Sequence, residues 1–176
     1  VGLDVKTWID EGIADVIIGQ NYSIPQLIDP MADFTDLVNL AKGKDCRIHA
    51  AIQSHLDSDR LSEAPIEMIR ATASNYWRQG IDGLYLAHWF NNWPYEASFY
   101  EKLRELPHPD IMETKDKFYS IATSTGRYGE PSLEPGLEMQ LPVEMEEGSA
   151  AKLDMDISDD LGLWDKTGRV HQVILR

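Results

Sequence analysis

Four short apolar runs recur along the first two thirds of the chain, and their spacing constrains the fold more than any other feature. They begin at Ala14, Cys46, Gly83 and Phe118. The interval is roughly 35 residues, the length of one strand plus one helix in a parallel sheet. Runs such as Ala14-Asp15-Val16-Ile17-Ile18-Gly19 lack polar alternation, as expected of strands covered on both faces. The fold class expected is α/β: four consecutive βα units of a partial, parallel (β/α)8-type barrel, followed by a small antiparallel β region.

The segments between the runs carry helical spacing and end signals. Residues 4–12 read as a helix with Val5, Trp8 and Ile9 on one face, Asp4 as N-cap and Gly12 as stop. A second helix covers 33–43, with Phe34, Leu37, Val38 and Ala41 inward. A third covers 63–79, with Pro65 in its first turn and Ile66, Ile69, Ala73, Tyr76 and Trp77 inward. Gly80 stops it, and a strand follows from Leu84 to Trp89. A fourth helix covers 95–106 with Phe99, Leu103 and Leu106 inward. A helical turn near 110–116 precedes the last run, Phe118 to Thr123.

The pattern then changes. Residues 124–136 contain Gly126, Gly129, Pro131 and Pro135 and read as a linker. Beyond it, Leu137, Met139, Leu141 and Val143 alternate with polar residues, as do Leu153, Met155 and Ile157, and Val170 to Leu175 is a third β run. Period-two alternation predicts antiparallel strands with one wet face. The division expected is 1–123 as barrel half, 124–136 as linker and 137–176 as a partial β-sandwich. The chain starts without methionine and stops inside an apolar pattern, so it reads as a segment of a longer protein.

A formal net charge of −14 disfavours nucleic-acid binding, because an acidic surface repels phosphates. No apolar run approaches the roughly 20 residues of a membrane span. One cysteine, Cys46, excludes an internal disulfide and reads as a packed thiol.

Consecutive parallel strands gather their carboxyl ends along one edge, where ligands bind in such sheets. That edge would hold Gln20, Asn21 and Tyr22, then Gln53, His55 and Asp57, then His88, Trp89, Asn91 and Trp93. Amides and imidazoles exchange hydrogen bonds with neighbouring hydroxyls, and aromatic faces stack on the C–H side of a sugar ring. The ten residues therefore form a candidate carbohydrate-binding set. Trp89 points inward or toward the helices according to a register that one sequence does not fix, and Trp93 before Pro94 also suits a hydrophobic staple. Trp8 and Trp77 read as core, and the mid-strand His49 as a hydrogen-bonded core histidine. No cofactor or metal is expected. His55, Asp57 and His88 are ligand types for zinc or manganese, but their spacing matches no known motif. Asp154, Asp156, Asp159 and Asp160 lack the spacing of a calcium loop and read as a solvated face.

Asp82-Gly83-Leu84-Tyr85-Leu86 followed by His88-Trp89-Phe90 resembles a group of glycosyl-hydrolase-like barrels named for likeness to family 10 glycosidases. Trp8-Ile9-Asp10-Glu11-Gly12-Ile13-Ala14-Asp15-Val16-Ile17-Ile18 and Lys115-Asp116-Lys117-Phe118-Tyr119 carry the same likeness, over residues 2–123 in all. The resemblance implies the C-terminal half of a (β/α)8 barrel, the start of an appended β-sandwich, a carbohydrate partner and an exported or periplasmic location. It assigns no catalytic residue: the strand ends carry amides, histidines and hydroxyls where a nucleophilic glutamate would stand. The alternative is a non-catalytic scaffold or interaction module. The open sheet edges of a half barrel imply self-association.

Overall fold

The computed structural model describes residues 2–20, 28–56, 63–87, 96–121, 140–141 and 143–175. Helix α1 (Val5–Asp10) leads into strand β1 (Val16–Gly19). Helix α2 (Thr35–Ala41) leads into β2 (Arg47–Ile52), and α3 (Ile66–Arg78) into β3 (Gly83–Leu86). The strands pair in parallel in the order β1-β2-β3. In register, Gly19 lies beside Ala50, and Ile52 beside Leu86. Three helix–strand units thus form where the apolar spacing placed them, with ends set by local chemistry. The Asp4 carboxylate accepts from Thr7 N–H at 3.1 Å and caps α1. Gly80 ends α3 at φ 88°, a conformation that only glycine adopts freely.

Side chains alternate across a strand, so Ile48, Ala50 and Ile52 share one face of β2. Ile17, Leu84 and Leu86 extend that face, and with Phe34, Met68, Ile69, Ala73 and Tyr76 they form the core. At Gly19 a Cβ would stand 2.8 Å from Leu37 Cδ1 and 2.9 Å from Phe34 Cδ1, so only a bare backbone lets α2 seat on β1. The opposite face carries Ile18, His49, Ala51 and Tyr85. Ile18 and Tyr85 are each 47% exposed. The His49 ring lies over Gly83, where a Cβ would meet its Nε2 at 2.8 Å. His49 is therefore half-buried on the face away from the core, not the core histidine expected. Helix α3 is the centre of the structure: Met68 to Ala73, Asn75 and Tyr76 are all buried.

Two expectations fail. Among the described residues the fourth βα unit does not form, and the sheet has three strands, so the partial (β/α)8-type barrel expected is not what they build. Helix α4 (Ala97–Glu105) is followed by a short α5 (Pro109–Met112), and residues 118–121 lie outside any strand. Phe118 N–H donates to Glu67 O at 3.0 Å, at the start of α3. The apolar run is thus spent against a helix instead of a sheet edge. The antiparallel region is also absent among the described residues. Residues 143–160 carry no strand, and 161–167 form helix α6 (Leu161–Thr167), capped by the Asp160 carboxylate on Leu163 N–H at 2.8 Å. Alternation at 153–157 is a necessary sign of a strand and not a sufficient one, since a ladder also needs a partner chain alongside.

The segment instead runs as a strap across α3. Asn75 Nδ2 donates to Asp156 O at 3.0 Å, and Arg78 Nη1 to Ile157 O at 2.6 Å. Tyr119 Oη and Ser158 Oγ are 2.8 Å apart, and Lys117 Nζ reaches Asp159 Oδ1 at 2.7 Å. Among the described residues no helix is long and apolar enough to cross a membrane.

Candidate functional site

The carboxyl ends of the three strands meet along one edge, as parallel pairing requires. Gln20 follows β1 and is exposed. Gln53, Ser54 and His55 follow β2 and are 4%, 2% and 4% exposed. Ala87 follows β3, and its N–H donates to Ile52 O at 3.0 Å, so the edge stays ordered one residue past the ladder.

Main-chain bonds then fold the chain back over β2. Ser54 O accepts from Ala64 N–H at 2.7 Å, His55 O accepts from Ile28 N–H at 2.8 Å, and His55 forms an antiparallel bridge with Glu63. Burying three polar side chains costs free energy unless each is bonded. The Ser54 hydroxyl and His55 Nδ1 meet that need at 2.8 Å. The pair superficially suggests a nucleophile and its base. Ser54 is only 2% exposed, however, so its hydroxyl is enclosed.

The bridge also brings up a carboxylate that no motif or spacing marks. Glu63, beside His55, makes an ion pair with Lys102 of α4. Lys102 is 5% exposed, and burial lowers its pKa from the ordinary lysine value. Helical spacing assigned Leu103 to the inward face of α4. The structure turns Leu103 outward and buries Lys102, Glu105 and Leu106. The phase is set by partners elsewhere: Glu63 for Lys102, and Arg70 of α3 for Glu105, at 2.6 Å. Burial pushes the Glu105 carboxyl up, but the Arg70 guanidinium, with Lys115 beyond it, outweighs this and holds it below the usual carboxylate range.

Of the ten residues predicted to line the site, Gln20 follows β1, and Gln53 and His55 follow β2. Asn21, Tyr22, Asp57, His88, Trp89, Asn91 and Trp93 lie outside the described residues. Among the described residues no three histidine, cysteine or acidic side chains gather in a metal-binding arrangement. The acidic run near the C-terminus is dispersed: Asp154 pairs with Lys152, Asp159 with Lys117, and Asp160 caps α6. Cys46 is buried, and desolvation, reinforced by Asp15, raises its thiol pKa.

The described part of the edge thus has an exposed amide after β1, a buried hydroxyl–imidazole pair after β2, and a buried lysine paired with a half-buried glutamate. No protein-family model matches the chain, and no curated protein matches it.

Proposed function

We propose that this chain is a segment of a carbohydrate-active protein of the glycosyl-hydrolase-like kind it resembles, and that it binds oligo- or polysaccharide at the carboxyl edge of its sheet. The observation supporting this is the parallel pairing of the strands, with Gln20 following β1 and Gln53 and His55 following β2 at the same end of the sheet. Amide and imidazole groups recognise vicinal hydroxyls, and ligands collect at this end of parallel sheets. In this reading Tyr22, Trp89 and Trp93 supply the stacking surfaces and Asn21, Asp57, His88 and Asn91 further polar contacts.

Binding without hydrolysis is the second reading, and one feature of the edge favours it. A glycosidase needs two carboxylates flanking the bond it cleaves. Among the described residues at the strand ends the nearest carboxylate is Glu63, and it is committed to Lys102.

Affinity electrophoresis against soluble plant and algal polysaccharides tests the proposal. At least one polysaccharide should retard the chain. Gln20→Ala, an exposed change, should weaken that retardation by about three- to tenfold, the worth of one neutral hydrogen bond. Unretarded migration in every polysaccharide would remove the proposal. Release of reducing ends by the same sample would select hydrolysis over binding alone.

A further inference from the structure

The strap across α3 is held in an unusual way. Its recognition runs almost wholly through polar groups, and no residue of 143–175 is buried. Asn75 Nδ2 donates to the carbonyl of Asp156, and Arg78 Nη1 to that of Ile157. Tyr119 meets the Ser158 hydroxyl, and Lys117, whose side chain is 2% exposed, pairs with Asp159. Met31 Sδ accepts the Asp156 N–H at 3.4 Å. Four consecutive strap residues are therefore each read by a separate side chain. Two of them are read through the main chain, which is possible because the segment uses its carbonyls in neither helix nor sheet.

One group on the receiving side is unfilled. Asn75 is 5% exposed, and its Oδ1 has no hydrogen-bond partner among the described residues. Its Nδ2 is fixed by two carbonyls, Pro30 O and Asp156 O, both at 3.0 Å. That bonding sets the orientation of the amide and leaves a buried acceptor beside the strap. A carboxamide can pair with both the C=O and the N–H of a peptide. Here only the first half of that pairing is made, while the Asp156 N–H rests on a sulfur, a weak acceptor. A buried acceptor left unmet is costly, so a peptide that reaches it gains a bond that the strap forgoes.

We propose that the groove formed by Met31, Asn75, Arg78, Lys117 and Tyr119 is a peptide-binding site for an acidic segment, and that residues 156–159 occupy it as a displaceable internal ligand. The partner is a protein presenting an open main chain with a hydroxyl residue followed by an aspartate, the pattern of Ser158-Asp159. Two cations, Arg78 and Lys117, in a chain of net charge −14 give the groove its preference for acidic ligands. The low apolar content of the strap's contacts makes release local, without disturbing the core beneath α3.

The test is fluorescence anisotropy of a labelled peptide of residues 152–161 added to the whole chain. A tethered competitor acts at an effective concentration on the order of millimolar, so the unaltered chain should bind the peptide weakly, and freeing the groove should tighten binding by about tenfold or more. Asp159→Lys frees it, by setting a lysine against Lys117. Arg78→Ala in that background, an exposed change, should reverse the gain. Lys117→Asp should lose the unaltered peptide and accept one carrying Asp159→Lys. The proposal is overturned if the Asp159→Lys chain, with unchanged far-UV circular dichroism, binds the peptide no better than the unaltered chain. It is equally overturned if Arg78→Ala leaves the affinity where it was.

Discussion

Arg70→Ala should lower the unfolding free energy by about 3–5 kcal/mol, the cost of removing one partner from a buried ion pair. Arg70 and Glu105 are both nearly enclosed, and Arg70 Nε holds Glu105 Oε2 at 2.6 Å. Without the guanidinium, Glu105 keeps a buried charge with only the half-exposed Lys115 near it, at 3.5 Å. The carbonyl of Asp116, bonded by Arg70 Nη1 at 3.4 Å, also loses its donor. Arg70→Met with Glu105→Leu should cost far less, because no charge is then stranded. Urea denaturation of the two variants separates these outcomes, and equal losses would show that packing dominates over charge. The pair also has a pH signature. The Glu105 pKa is depressed in the folded chain, so its contribution is fully present above the unfolded carboxylate pKa. It is lost as pH falls through the lower folded value, and the slope of stability against pH in acid should flatten in the double variant.

Tyr76→Ala should cost a similar amount, about 3–5 kcal/mol, for a different reason. Tyr76 is 2% exposed, packs edge-on against Phe34 with centroids 4.9 Å apart, and donates its hydroxyl to Asp29 O at 2.6 Å. It is the contact through which α3 grips both α2 and the chain before it. Truncation leaves a cavity that neighbours on two elements must fill together. Tyr76→Phe keeps the ring and removes only the hydroxyl, for a loss of about 1 kcal/mol plus the cost of an unmet carbonyl. A thermal melt in which Phe proved as damaging as Ala would place the energy in the hydrogen bond and not in packing.

The parts of the fold that were legible are those written locally. Asp4, Gly80 and the apolar runs at Val16 and Ile48 act within one helix or strand, and α1 through β3 follow from them. The parts that were not legible depend on partners distant in the chain. Phe118 has the composition of a strand start, yet Glu67, some 50 residues earlier, takes its N–H. Leu103 fits the stripe of α4, yet the ion pairs of Lys102 and Glu105 rotate the helix, because two buried charges left unpaired would cost more than one exposed leucine. Met155 and Ile157 alternate as a strand does, yet their carbonyl neighbours are taken by side chains of α3. At the candidate site, the sequence order alone puts Gln20 after β1 and Gln53 and His55 after β2, and the burial of the latter two was not legible. The Glu63–Lys102 pair was invisible, since nothing near either residue in sequence marks the other.

The half-exposed side chains on the outer face of the sheet have a thermal consequence. Heat capacity rises on unfolding in proportion to the apolar surface newly wetted. With Ile18 and Tyr85 already half in water and the strap adding no buried side chain, less such surface remains to be wetted. The stability curve of this chain should therefore be broad and shallow, losing little on cooling and giving way over a wide span of temperature on heating.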